Sequence, residues 1–121
     1  MRLDAMGLNN ALTDDVKSLP SPLLSEATDQ YLQLRGMGKG KTFHQAAMRN
    51  SNVVIEMLGD RPLRDYSTVD SGSVRDTRIT RGLSIMSVKR TFITVRAIFN
   101  LAIEERGFEM HNPFASIFTP L

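Results

Sequence analysis

The stretch GLSIMSVKRTFITVRAIFNLAIEERG, residues 82–107, decides the fold. Ser84 is a favourable N-cap residue and Gly107 a favourable stop, and between them Ile85, Val88, Phe92, Val95, Phe99 and Ala102 recur at alternating three- and four-residue steps. That spacing predicts one long helix with a packed stripe. Met86, Ile93, Ala97, Ile98 and Leu101 widen the apolar arc, so the helix is expected to lie centrally and touch several neighbours. Ser87, Arg90 and Thr94 fall together on the side away from the stripe, while Lys89, Arg96 and Asn100 follow one flank.

Working outward, a chain of 121 residues with 41% hydrophobic content fits one small domain rather than two independent cores. The absence of cysteine excludes disulfides and thiolate metal sites and makes the cytoplasm the expected compartment. No apolar run approaches the roughly 20 residues that span a bilayer, and Asp4, Asp14 and Asp15 interrupt the amino end, so neither a membrane anchor nor a signal peptide is expected. A net charge of +2 says little about partners, but its distribution is informative. Between Arg75 and Arg96, Arg75, Arg78, Arg81, Lys89, Arg90 and Arg96 stand against Asp76 alone.

Residues 1–22 lack periodicity and end in Ser18-Leu19-Pro20-Ser21-Pro22, which reads as a lead-in or linker. A first helix is predicted from about Ser25 to Arg35, burying Leu24, Ala27, Tyr31 and Leu34. Gly36-Met37-Gly38-Lys39-Gly40-Lys41 breaks it. In the second helix, Thr42 with Gln45 matches a capping box, Phe43, Ala46, Ala47, Val53, Val54, Met57 and Leu58 share a face, and Gly59 supplies the stop. Leu63 and Tyr66 are expected to fold back onto the core after a turn. A third helix from about Thr68 to Arg81 is weakened by Ser71-Gly72-Ser73. The expectation is an all-α fold of four helices of rising length. Asn112-Pro113 ends regular structure, and Ile117 to Leu121 reads as a connection toward another domain.

Catalysis finds little support, because His44 and His111 are the only histidines and no acidic pair has a convincing spacing. No catalytic residue, metal site or cofactor is expected. Gly36 to Thr42 lacks the spacing of a phosphate loop and has no preceding strand. Lys39, Lys41 and Thr42 nevertheless cluster at a helix amino terminus, where free N–H groups favour phosphate, and Gln45, Arg49 and Asn52 lie outward on the same helix. Taken alone, these residues read first as an ordinary solvated face with ordinary capping, and phosphate binding comes second. Arg75, Arg78 and Arg81 form a second basic stripe, opposite Val69 and Ile79, in which Asp76 can relieve one arginine. Tyr31, Phe92 and Phe99 are assigned to the core rather than to base stacking.

The motifs in order resemble the amino-terminal core-binding domain of tyrosine recombinases of the phage integrase type. Leu24-Ser25-Glu26-Ala27 with Tyr31-Leu32 resembles its first helix, Lys41-Thr42 the opening of its second, and Leu58-Gly59-Asp60-Arg61-Pro62-Leu63 that helix's exit. Arg81-Gly82-Leu83-Ser84, Ser87-Val88-Lys89-Arg90, Arg96 to Glu104, Gly107 and Asn112-Pro113-Phe114 are similar to the last helix and its exit. The resemblance covers about residues 23 to 119 and departs from the family pattern at Ser71-Gly72-Ser73.

It implies a four-helix, SAM-like orthogonal bundle that clamps double-stranded DNA together with a catalytic domain absent from this chain, and sister recombinase subunits as further partners. The tyrosine nucleophile would belong to that other domain, so this chain is expected to bind DNA without cutting it. By position, Thr42, Gln45, Arg49, Ser87, Lys89, Arg90 and Thr94 match helices that the family lays toward the duplex. Lys39, Lys41, Arg78 and Arg81 complete the candidate set. The alternative is a helical protein-interaction or regulatory domain, with Met48 and Ile55 as its working surface. A small helix-turn-helix repressor fits less well, because the helix after Gly82-Leu83-Ser84 is too long and apolar to lie freely in a groove.

Overall fold

A computed structural model describes residues 21–116. It is all-α: α1 spans Leu24–Arg35, α2 Lys41–Leu58, α3 Thr68–Thr80 and α4 Ile85–Arg106, with a 3₁₀ turn at Leu63–Asp65 between α2 and α3. The lengths, 12, 18, 13 and 22 residues, do not rise steadily, since α3 is shorter than α2. Ser21 and Pro22, the last residues of the expected lead-in, are tied to the body, because the Leu63 N–H donates to the Pro22 carbonyl at 2.9 Å. The remainder of that lead-in and Ile117 to Leu121 lie outside the described residues.

Helix α4 is central and packs against all three others. The Ser84 hydroxyl accepts the Ser87 N–H at its start, and Gly107 takes the left-handed conformation (φ 67°) at its end, where a side chain would be strained. Val88, Val95, Ile98 and Phe99 are fully buried, with Phe92 and Ala102 nearly so. Met86 and Ile93, expected to widen that arc, are instead more than half exposed, because they lie on the side of α4 turned away from the buried Val88, Thr91 and Val95. Leu34 and Val69, also expected on packed faces, are exposed: Leu34 lies in the last turn of α1 and Val69 in the first turn of α3.

The remaining helices are fixed by polar contacts that cap or cross them. At the start of α1, Glu26 accepts the Leu23 N–H, and Asp60, carried on the exit of α2, accepts the Ser25 N–H at 2.9 Å. That carboxylate satisfies a helix N-terminal donor from across the fold. Thr28 and Ser51, both buried, share a hydrogen bond of 2.8 Å between α1 and α2. The Thr42–Gln45 capping box does not form. Gly40 is the N-cap, without a side-chain cap, and Thr42 already lies inside the first turn. The glycine loop is drawn back by the stacking of Phe43 on Tyr31 and by His44, which bonds the Gly36 carbonyl at 3.0 Å, so the helix starts before a Thr42 cap could operate.

Leu63 and Tyr66 fold onto the core as expected, with Tyr66 edge-on to Phe99. The Tyr66 hydroxyl donates to the Gly59 carbonyl at 2.6 Å and accepts the Arg61 N–H at 3.0 Å, which pins the turn after α2. Helix α3 runs unbroken through Ser71-Gly72-Ser73 and carries a capping box in which Ser67 and Asp70 exchange hydrogen bonds. Ser71 is buried, and its hydroxyl donates to the Pro113 carbonyl. One of the residues that weaken the helix on propensity, Ser71, is thus where the segment after α4 docks.

That segment is more than an exit. The Asn112 side chain donates to the Arg96 carbonyl at 3.1 Å and to the Asn100 side chain at 2.8 Å, and its Oδ1 accepts the Phe114 N–H at 2.9 Å. Phe114 is thereby driven into the core between Phe92 and Phe99. Phe114→Ala is expected to lower stability by about 3–5 kcal/mol. Asn112→Ala is expected to cost about 1–3 kcal/mol, with both read from urea unfolding; unchanged midpoints would show the segment to be dispensable.

Burial raises the Tyr66 pKa above its ordinary value of 10.0. Because the folded state holds this proton more tightly, the linked stability is present below the unfolded-state value and is lost as pH rises toward the folded one. Unfolding midpoints measured across the alkaline range should therefore fall for the parent and fall less steeply for Tyr66→Phe.

Candidate functional site

A polar bridge between α2 and α4 organises the surface richest in candidate residues. Asn50 on α2 accepts the Thr91 hydroxyl at 3.1 Å and donates to the Thr94 hydroxyl at 3.3 Å. Thr91 is fully buried and also reaches the Ser87 carbonyl at 3.2 Å. One amide therefore sets the spacing of the two helices and forms the floor of an open groove of about 330 Å³. Arg49 from α2, Arg78 from α3, and Ser87, Arg90 and Thr94 from α4 line it, and none of its lining residues is acidic.

Five of the expected site residues, drawn from three helices, thus meet at one groove. Arg81, exposed at the end of α3, is close enough for its charge to act on Arg78. Burial, and secondarily that charge, hold the Arg78 guanidinium below its ordinary pKa, although an arginine remains protonated at neutral pH. The Arg78 Nε is buried without a hydrogen-bond partner. Ion pairs among the described residues are Arg61–Asp70 at 3.3 Å and Arg75–Asp76 at 2.8 Å, so Arg49, Arg78, Arg81 and Arg90 lack a carboxylate partner there. Asp76 relieves Arg75, and of the arginine stripe of α3 Arg78 lines the groove while Arg81 acts on it through its charge.

The other expected residues sit elsewhere. Lys41, Thr42 and Gln45 are exposed along the first turns of α2, before Arg49. Lys39 lies over the Phe43 ring at 5.6 Å and lines a separate depression with Tyr31, Arg35 and Asn100. Lys89 lines a third, with Phe92, Arg96 and Phe114. The Thr94 hydroxyl accepts from Asn50, which leaves its own proton for a ligand. Of the two residues expected to mark a protein-binding surface, Met48 is 42% exposed, but Ile55 packs against the core.

Asn50 and Thr91 are not among the expected residues. Thr91 does carry a signal, since a hydroxyl between Val88 and Val95 on a buried stripe requires a partner across the interface. No group of three or more His, Asp or Glu side chains able to hold a metal occurs among the described residues, and no helix among them is long and apolar enough to cross a membrane. Comparison of the chain with family models, curated proteins and solved structures gives no match.

Removing the bridge exposes its worth. Asn50→Ala breaks both hydrogen bonds and leaves a buried hydroxyl with fewer partners, so a loss of about 1–3 kcal/mol is expected in urea unfolding. A midpoint equal to the parent's would mean that Asn50 does not hold α2 and α4 together.

Proposed function

We propose that this chain is a duplex-DNA-binding module of the core-binding type, a SAM-like bundle that positions a recombination site for strand exchange by a catalytic domain carried elsewhere. The observation that supports it is the groove between α2, α3 and α4, where Arg49, Arg78 and Arg90 converge with Ser87 and Thr94 and no acidic side chain opposes them. A surface of this composition suits a polyanion, whose phosphates set register through arginine and hydroxyl contacts. Lys41, Thr42 and Gln45 extend the same side of α2 toward the duplex, and Gln45 or Arg90 is the residue type that reads base edges. Lys39 and Lys89 line separate depressions away from this groove and carry no contact in this reading. A cytoplasmic setting accords with the lack of cysteine.

A protein-interaction role draws on the exposure of Met48, Met86 and Ile93, and it predicts association that is insensitive to salt. The two readings separate in one experiment. A preferred site is selected from a randomised duplex pool, and affinity is measured against salt for the parent and for Arg90→Ala with Lys41→Ala. The duplex reading predicts weaker binding and a salt slope shallower by roughly 0.9 for each phosphate left without its cation, with an unchanged helical signal. Binding as tight and as salt-dependent as the parent's would place the DNA-binding face elsewhere.

A further inference from the structure

We infer that the groove holds a subsite for one tetrahedral oxyanion, a single phosphate group gripped by Arg49, Arg78 and Arg90 over the Asn50 floor. The inference rests on the duplex reading for its biological ligand, which would be one backbone phosphate of the DNA, but its physical basis is independent of that reading. Three guanidiniums from three different helices line one groove of about 330 Å³ with no acidic residue in its lining. Arg81, at the end of α3, adds its charge to that of Arg78, so an anion there is drawn by more than the lining arginines alone. The nearby carboxylate of Asp76 is already engaged by Arg75 at 2.8 Å.

Arg78 adds a second observation. Its Nε is buried and makes no hydrogen bond, so the side chain rests with a donor unsatisfied. Such a donor is costly to leave unmade, and a guanidinium that reorients toward an oxyanion recovers the bond in charge-assisted form. The wall opposite is already set: Asn50 holds Thr91 and Thr94, which fixes the spacing of the two helices that carry Arg49 and Arg90. The spacing is therefore built by the fold and does not wait for the ligand. Ser87 supplies a hydroxyl at the same groove, where Ser84 donates to it at 3.1 Å and leaves its own proton free.

The test titrates the ¹⁵N-labelled chain with inorganic phosphate at constant ionic strength and follows the arginine Nε–H resonances. The expected result is saturation in the millimolar range at Arg49, Arg78 and Arg90, with little movement at Arg35 and Arg96. Arg78→Met should weaken the binding roughly tenfold, and so should Arg90→Met, an exposed position whose substitution leaves packing intact. Linear shifts of similar size at every arginine would overturn the subsite, as would saturation unaffected by both substitutions.

A short duplex is then added to the phosphate-loaded chain. Displacement of phosphate from the same resonances supports a DNA phosphate as the occupant. Phosphate saturation with no response to duplex supports the subsite, assigns it to a free phosphate or phosphorylated small molecule, and overturns the duplex reading. Duplex binding without phosphate saturation overturns the subsite and leaves the duplex reading standing.

Discussion

Everything in this fold depends on burying the stripe of α4 from Val88 to Ala102. Those side chains cannot be covered by one neighbour, because the buried set turns far enough around the helix to need α1, α2 and α3 together. Burying each Val, Ile or Phe contributes roughly 1.5–3 kcal/mol relative to exposure, which only a nearly complete enclosure recovers. The last part of the enclosure comes from Phe114, held against Phe92 and Phe99 by the hydrogen bonds of Asn112. The chain after α4 closes the core that α4 opens.

The same constraint produces the groove. The buried stripe of α4 has an edge beside Thr91, and on that edge Ser87 and Thr94 are half-buried while Arg90 stands exposed next to them. Packing alone would leave its distance from α2 loosely set. The Asn50 amide fixes it by bonding Thr91 and Thr94, whose positions follow from the burial of the stripe beside them. Core packing therefore determines how far apart the helices that carry Arg49 and Arg90 stand, and the third arginine of the groove is on α3. In the proposed function this is pre-organisation: the cations are gathered during folding, and less ordering remains to oppose binding.

Much of this is legible in the sequence. The α4 stripe, its Ser84 cap and its Gly107 stop follow from local rules, and all three stand in the structure. Local rules fail where a neighbour decides the outcome. Thr42 looks like a cap, but Phe43 and His44 anchor the loop and start α2 at Lys41. Ser71-Gly72-Ser73 looks like a weakness, and a hydrogen bond to Pro113 some forty residues away explains it. Asn112-Pro113-Phe114 has the composition of an exit while serving the core, because an apolar ring following a turn gives no local sign of which way it points.

The candidate site divides along the same line. That Ser87, Arg90 and Thr94 share a face of α4 follows from helical geometry, and so does the outward side of α2. That Arg49 and Arg78 join them at one groove, while Lys39 and Lys89 do not, is set by how the helices cross, which periodicity does not encode. Met86 and Ile93 show the limit in reverse, being apolar by type and more than half exposed.

The central claim is that this groove faces the duplex, and site-specific photo-crosslinking tests it most directly. A photoreactive side chain is placed at Gln45 or Met86, exposed residues one turn ahead of Arg49 and Arg90, or at Arg35, on the depression shared with Lys39. The account predicts that duplex DNA is captured from Gln45 and Met86 and not from Arg35. Capture from Arg35 with none from the other two would contradict it.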